Sequence, residues 1–330
     1  MSIRNLALGL DIGTSRIVVA RQNGGDVEYR SQLNAFVDVP FSKMTENVLK
    51  KENVPYTADG GRLVVHGDES ERFANMLQTE TRRPMTRGVM NPSEPVSADV
   101  MKALISALLE GVDAKGKKVY YSVPAAPAGE ESNLTYHEAT IGQVLGELGY
   151  ESQAVNEGLA VVYAEMEESN YSGIGISCGG GLCNVCISYL AVPVMTFAVA
   201  KAGDFIDAST AAVTGELATS IRTTKEQALA LSGQAPDKVQ QVLTVYYDDM
   251  IRSLVTALKE AMSSAKAPKF TKPVPVVLSG GTAMPKGFLE RFQAALKESG
   301  FAAPVSEVRL AKDPLTATAK GALVAAMAEA

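Results

Sequence analysis

Three stretches of this chain gather backbone donors and small polar side chains at the ends of strands. The first is Asp11-Ile12-Gly13-Thr14-Ser15. A strand that turns at glycine and small hydroxyl residues points consecutive backbone N–H groups outward, and such a nest holds phosphate oxygens. Asp11, at the strand end, has the chemistry to hold Mg²⁺ through water, because this cation keeps several of its waters. The same residues would also make an ordinary hairpin turn with a surface carboxylate. The second stretch is Cys178-Gly179-Gly180-Gly181. Consecutive glycines permit positive φ and close approach of backbone to ligand, at an entropic cost that a plain turn does not incur. The third runs from Val276 through Ser279-Gly280-Gly281-Thr282-Ala283-Met284 to Pro285. It is a strand entering a Gly-Gly turn and a helix start, where free donors and the helix dipole favour an anion or a polar ligand edge. Facing tips of this kind would clamp a polyphosphate from both sides.

The elements that must position these tips are legible around them. Leu6 to Leu10 and Ile17 to Ala20 flank the first tip as a β-hairpin, and Gly173 to Ser177 with Val185 to Tyr189 repeat the layout half a chain later. Two halves that each open on a glycine-tipped hairpin suggest an internal duplication with a cleft between the halves. Apolar periodicity predicts a helix capped by Ser97 and ending near Gly111, and a long helix from Val239 to Ala265. A further helix is predicted from Pro285 to Gly300 and a last one from Asp313-Pro314 to the end, on the proline-first, glycine-last pattern. Residues 34–95, with five prolines and only short strand-like runs such as Leu63-Val64-Val65, read as a small irregular insertion and its return. Residues 206–237 read as a second, mostly helical insertion.

Composition narrows the classes. The chain has 330 residues, 46% apolar and 21% charged, with a net charge of −6. That excludes wholesale disorder, and no basic run supplies a duplex-binding surface, so no direct nucleic-acid partner is expected. Residues 169–200 carry no charge, long enough to span a bilayer, but their glycines, Asn184 and Pro193 favour buried sheet. The start, Met1 to Asn5, lacks a signal peptide's apolar region, which points to a cytoplasmic protein without direct membrane insertion. Cys178, Cys183 and Cys186 have a C-x4-C-x2-C spacing, yet an iron–sulfur cluster needs a fourth cysteine and strand alternation sends Cys183 and Cys186 to opposite faces. They are expected to act as small buried apolar residues. His66 and His137 have no spaced Cys or Asp partners, so a metal site there is not expected.

The two tips and Ser279-Gly280-Gly281-Thr282-Ala283-Met284 resemble the two phosphate motifs and the adenosine motif of the actin-like ATPase superfamily. Asn156-Glu157-Gly158-Leu159-Ala160 resembles its first connecting segment. Asp313-Pro314-Leu315-Thr316 with Lys320-Gly321-Ala322 resembles the second, in the form used by bacterial actins of the MreB and MamK type. Lys201-Ala202-Gly203-Asp204 and Thr224-Lys225-Glu226 are similar to bacterial-actin segments as well. The resemblance runs the length of the chain in the right order.

What it implies is an α/β, actin-like (ribonuclease H-like) duplicated fold, two lobes with a nucleotide cleft between them. Lobe I would comprise 1–33, 86–155 and 314–330, with a small inserted subdomain at 34–85. Lobe II would comprise 156–205 and 255–313, with an inserted helical subdomain at 206–254. ATP or ADP with Mg²⁺ would sit in the cleft. By similarity Asp11 supports the metal through its water shell, and Gly13, Thr14, Ser15, Gly179, Gly180 and Gly181 cradle the phosphates. Lys225, Glu226, Gly280, Gly281, Thr282 and Met284 surround the nucleoside. Glu157 matches the position that orients the attacking water; a helix-start acid that helps cap its segment is the plainer alternative. Two positions depart from the family: Ser177 stands where an Asp is usual, and Leu182-Cys183-Asn184 where Thr-Thr-Asp is frequent. Binding should survive through the backbone donors, while hydrolysis should be slow.

The resulting expectation is a cytoskeletal ATPase that self-associates into filaments, with adaptor proteins as further partners. A non-polymerising nucleotide switch or degenerate ATPase scaffold is the alternative that Ser177 favours. A small-molecule kinase would need a carboxylate base beside an acceptor pocket, for which the sequence offers no clear residue. A chaperone of the heat-shock type would need a C-terminal peptide-binding domain, for which the chain leaves no room after its final helix.

Overall fold

The computed structural model describes residues 7–114, 116–126, 134–233 and 235–329. The Met1–Asn5 start and Leu6, assigned above to the first strand, lie outside the described residues. Strands β1 (Ala7–Ile12), β2 (Arg16–Asn23) and β3 (Asp26–Leu33) open the chain. An excursion follows through β4 (Phe36–Pro40), α1 (Lys43–Lys51), β5 (Tyr56–Asp59), β6 (Arg62–His66) and α2 (Asp68–Leu77). The chain returns by β7 (Met85–Thr86) and β8 (Val89–Met90) to α3 (Ser97–Leu108), β9 (Lys118–Val123), α4 (Leu134–Glu147), β10 (Glu151–Asn156) and α5 (Glu157–Glu165). The second half runs β11 (Gly173–Cys178), β12 (Cys183–Tyr189), β13 (Val192–Val199), α6 (Gly203–Thr214), α7 (Ala218–Ala228) and α8 (Lys238–Ser263). It closes with β14 (Val274–Ser279), α9 (Phe288–Glu298), β15 (Val305–Leu310) and α10 (Ala317–Ala328).

The duplication is plain in the sheets. One has the order β10-β9-β1-β2-β3, the other β13-β12-β11-β14-β15. In each, an antiparallel hairpin carries a third antiparallel strand on one side, and two parallel strands continue on the other. Parallel neighbours need crossover connections, and the helices that supply them cover the sheet faces. Each sheet has its own apolar core: Leu10, Ile17 and Leu104 in the first, Ile176, Leu254 and Phe292 in the second. A third cluster between the lobes joins Val161 and Val162 of α5 to Ala319 and Leu323 of α10. These helices cross so closely that a Cβ on Gly321 would come within 1.7 Å of the Ala160 carbonyl oxygen.

Several local expectations need correction. Residues 34–95 are more regular than their prolines suggested: β4, β6 and β5 form a three-stranded sheet with its own core around Leu49, Leu63 and Val65. Ser97 is the first helical residue rather than a cap, and its hydroxyl donates to the Asn91 carbonyl. Pro285 does not start a helix, because Gly281–Ala283 makes a 3₁₀ turn and Gly287, at φ 93°, precedes α9 at Phe288. Likewise Asp313-Pro314 is a turn, and α10 starts at Ala317. The uncharged segment from 169 to 200 is sheet, and none of the described helices is long and apolar enough to cross a membrane. Cys178 and Cys183 share one core while Cys186 faces the other, as alternation requires, and all are buried free thiols.

Candidate functional site

Central strands end at the cleft, so their last residues and the turns after them become its lining. At the end of β1 the Ile12 N–H donates to Ser122 Oγ (2.9 Å), and that hydroxyl donates to Asp11 Oδ1 (2.8 Å). Burial pushes the Asp11 carboxyl up to about 6, against the Ser122 hydrogen bond, which favours the ionised form. The following tip is held from β3's far end: Asn34 Nδ2 donates to the Gly13 carbonyl (2.9 Å) and Asn34 N–H to that of Ser15 (2.8 Å).

The second tip has the same place in the other sheet. Gly179 N–H donates to the Leu182 carbonyl (3.0 Å), and the Gly179 carbonyl accepts from Thr282 Oγ1 (2.8 Å). Asp204 N–H donates to the Gly180 carbonyl (2.8 Å), anchoring the start of α6 beneath the tip. The two tips touch: a Cβ on Gly181 would lie 2.5 Å from Thr14 Oγ1 and 2.4 Å from Gly88 N, so only glycine lets the lobes meet here.

Between the tips lies an acidic floor. Glu157 is the first residue of α5, and Asn156 Oδ1 caps that helix by accepting from Leu159 N–H (3.2 Å). Ser177 and Asn184 are cross-strand partners in the β11–β12 hairpin. Both hydrogen-bond the Glu157 carboxylate, Asn184 Nδ2 donating to Oε2 at 2.9 Å. Asn184 Oδ1 in turn accepts the Ala125 N–H of lobe I (2.8 Å). Burial and the neighbouring negative charge of Asp11 push Glu157 up to about 8, against those two hydrogen bonds. Among the described residues, no cationic side chain acts on either carboxylate. Among the described residues no group of three or more metal-ligating side chains occurs, but an all-oxygen acidic pair facing backbone donors suits a hard, water-carrying cation, so these residues fit Mg²⁺.

One cavity of about 660 Å³ is lined by every residue that the resemblance assigns to the nucleotide, metal or attacking water, from Asp11 and Gly13 to Gly281 and Met284. Lys225 lies in its wall, its Nζ paired with Asp207 (2.8 Å) and donating to the Gly203 carbonyl (3.3 Å). Burial raises the Asp207 carboxyl and Lys225 opposes the shift. Asn34, Ser122 and Asp207 escaped the sequence reading, since each acts through a neighbour brought by the fold. So did the contacts that close the cleft mouth. Arg83 reaches across to Asp204 (2.6 Å), Glu71 pairs with the buried Arg222, and Glu80 accepts the Ala218 and Thr219 N–H groups that start α7 (2.9 and 3.1 Å). An acid at a helix N-terminus satisfies donors that the helix itself leaves free.

The fold is shared with solved structures of actin-like proteins. A MamK double helical filament superposes with a TM-score of 0.69 at 18% identity, covering 97% of this chain and 98% of that one. MreB5 of Spiroplasma citri bound to ADP superposes with a TM-score of 0.64 at 14% identity, covering 96% and 94%. The ethanolamine utilization protein EutJ from Carboxydothermus hydrogenoformans follows with a TM-score of 0.55 at 17% identity, covering 96% and 88%. No curated protein matches the chain. The sequence model of one family does, over residues 6–326, nearly the whole duplicated unit and every element of the cleft: this chain belongs to the Volactin family.

Proposed function

We propose that the cleft binds ATP and its product ADP, and that the ATP-bound chain assembles into filaments whose subunits hydrolyse the nucleotide slowly. The observation that carries the reading is the convergence of two glycine tips and the Asp11–Glu157 pair on one cavity between duplicated lobes. The solved relatives support it: one is a MamK filament, another a non-polymerising MamK mutant bound to AMPPNP, a third the ADP-bound MreB5. In this reading the tip N–H groups hold phosphate oxygens, and Lys225, Glu226, Gly280, Gly281, Thr282 and Met284 enclose the nucleoside. Asp11 would hold Mg²⁺ through water, and the cation would supply charge neutralisation at the phosphates. Glu157, steered by Ser177 and Asn184, orients the attacking water and takes its proton. Missing carboxylates at 177 and 184 leave fewer groups to organise that water, hence slow turnover. The filaments act in the cytoplasm, with adaptors linking them to their task.

Ser177 favours the second reading, a switch of the same fold that binds nucleotide without polymerising. Sedimentation and negative-stain microscopy of the purified chain with ATP, ADP and no nucleotide separate the two. Filaments with ATP support the first; monomers throughout leave the switch.

A further inference from the structure

Asp11 and Glu157 stand where phosphate oxygens would arrive, so the cations in the same wall decide how much charge the site can meet. That wall holds the basic side chains Arg16, Arg30, Arg222, Lys225 and Lys286. Lys225 is paired with Asp207 (2.8 Å), and Arg222 with Glu71. Arg30 turns to the Leu108 and Glu110 carbonyls (3.4 and 2.8 Å), toward α3 on the opposite face of the sheet. Lys286 lies just beyond Met284, in the stretch assigned to the nucleoside. Arg16 is the cation beside the phosphate tips.

Its backbone closes the first tip: Arg16 is the first residue of β2, and its carbonyl accepts Gly13 N–H (3.0 Å). Side chains alternate along a strand, so Arg16 shares a sheet face with Val18. The β1–β2 register sets Val18 directly opposite Asp11, and the β2–β3 register sets Ser31 opposite Val18. Arg16 and Asp11 therefore line the cavity from one face, diagonal to each other across the hairpin, a separation that long side chains bridge. The guanidinium is loosely held. Its contacts to Ser31 Oγ and to Asp68 Oδ1, at the start of α2, are both 3.5 Å, and the side chain is 42% exposed. An exposed pair of that length contributes little, so swinging the guanidinium away from Asp68 costs little.

We propose that Arg16 swings from Asp68 onto the terminal phosphoryl group of the bound nucleoside triphosphate and serves as a built-in arginine finger. This rests on the nucleotide reading above and adds a catalytic residue to it. In the step, the water oxygen bonds to the γ-phosphorus while the bond from that phosphorus to the β–γ bridging oxygen breaks. Glu157 takes the water proton, and the electron pair of the broken bond leaves with ADP. Arg16 keeps its proton and meets the negative charge that spreads over the three equatorial oxygens. A guanidinium suits the task because it is planar, always charged and presents parallel N–H groups to two oxygens at once. Backbone N–H groups of the tips carry no net charge, so they cannot supply this term alone.

The test compares the full-length wild type with Arg16→Ala and Arg16→Lys, which should melt like wild type because the lost contacts are long and exposed. Titration calorimetry measures ADP with Mg²⁺, first alone and then with aluminium fluoride, which stands in for the transferring phosphoryl group. Wild type should bind ADP at least about tenfold more tightly with the fluoride, as an enzyme binds a transition-state mimic. Arg16→Ala should bind ADP alone as wild type does and lose that gain. Arg16→Lys should keep only part of it, since a point charge lacks the fork. Single-turnover phosphate release should fall by about 10²–10³ in Arg16→Ala and recover in part when guanidinium ion is added, a rescue that structural damage would not allow. Equal gains from the fluoride in wild type and Arg16→Ala, or no gain in a wild type that binds ADP, would overturn the role. So would ADP alone binding more weakly to Arg16→Ala by the same factor. A wild type that binds no ADP overturns the nucleotide reading itself, and the arginine's role with it.

Discussion

Asn184 holds the Glu157 carboxylate with Nδ2 (2.9 Å) and the Ala125 N–H of the opposite lobe with Oδ1 (2.8 Å), so one buried carboxamide ties the floor of the cleft to the segment that follows β9. With Ser177 it replaces acidic residues that the actin-like resemblance leads one to expect. In the proposed ATPase reading, Glu157 is the acid on which hydrolysis would depend. Glu157→Ala should lower phosphate release by on the order of 10²–10⁴ without weakening ATP binding, the usual effect of losing one positioned proton-transfer group. In Mg²⁺, Ser177→Asp should hold or raise turnover. Single-turnover phosphate release, paired with binding isotherms, measures both; equal release from wild type and Glu157→Ala removes Glu157 from the chemistry.

The same acid makes stability depend on pH. Its carboxyl is raised from 4.5 to about 8 in the folded protein, and that of Asp11 from 3.8 to about 6. The native state therefore binds protons more tightly than the unfolded chain, so ligand-free protein should lose stability as pH rises from about 5 to about 8. Glu157→Gln keeps an acceptor for Asn184 and removes the charge. At pH 8 without nucleotide it should be more stable than wild type by on the order of a few kcal/mol, with a flatter pH profile. Denaturant titrations between pH 5 and 8 provide the comparison, and parallel profiles would refute it.

Glu80 joins the inserted part of lobe I to the first N–H groups of α7, the helix that carries Lys225 and Glu226. Glu80→Ala should cost about 1 kcal/mol, as loss of a helix cap does. It should also speed nucleotide release several-fold, since one of the cross-lobe links is gone. Stopped-flow displacement of a fluorescent ATP analogue reads the second effect; an unchanged rate would mean that the cleft opens without breaking this contact.

The glycine tips and the duplication could be read from the chain because both are local signals, a short alternating run broken by glycines. The three-stranded insertion could not, because Pro40, Pro55 and the short, half-exposed β5 obscure strands whose pairing is set by distant partners. The helix expected from Pro285 is delayed to Phe288 by the 3₁₀ turn and Gly287, and the one expected from Asp313-Pro314 starts at Ala317. In the second case the Pro314 carbonyl accepts Gly280 N–H (2.8 Å) and Ser279 Oγ (2.9 Å), so that turn is held by the end of β14, a partner distant in sequence. Arg83, Glu80 and Glu71 lie in a charge-rich stretch that looks like solvated surface until the second lobe is folded over it.

Whether the cleft is a nucleotide site is tested most directly at Gly280 and Gly281. Gly280 sits at φ 89°, and a Cβ there would lie 2.2 Å from the Cys178 carbonyl oxygen, so its substitution would damage the fold. Gly281 has room: its nearest neighbour within reach is Leu315 Cδ2 at 3.5 Å, beside the cavity. Titration calorimetry of ATP with Mg²⁺ into wild type and Gly281→Val, each checked for an unchanged melting temperature, isolates the ligand's side of the contact. The account predicts one ATP bound per wild-type chain and no measurable heat from Gly281→Val. Equal heats from the two proteins, or none from a folded wild type, would contradict it.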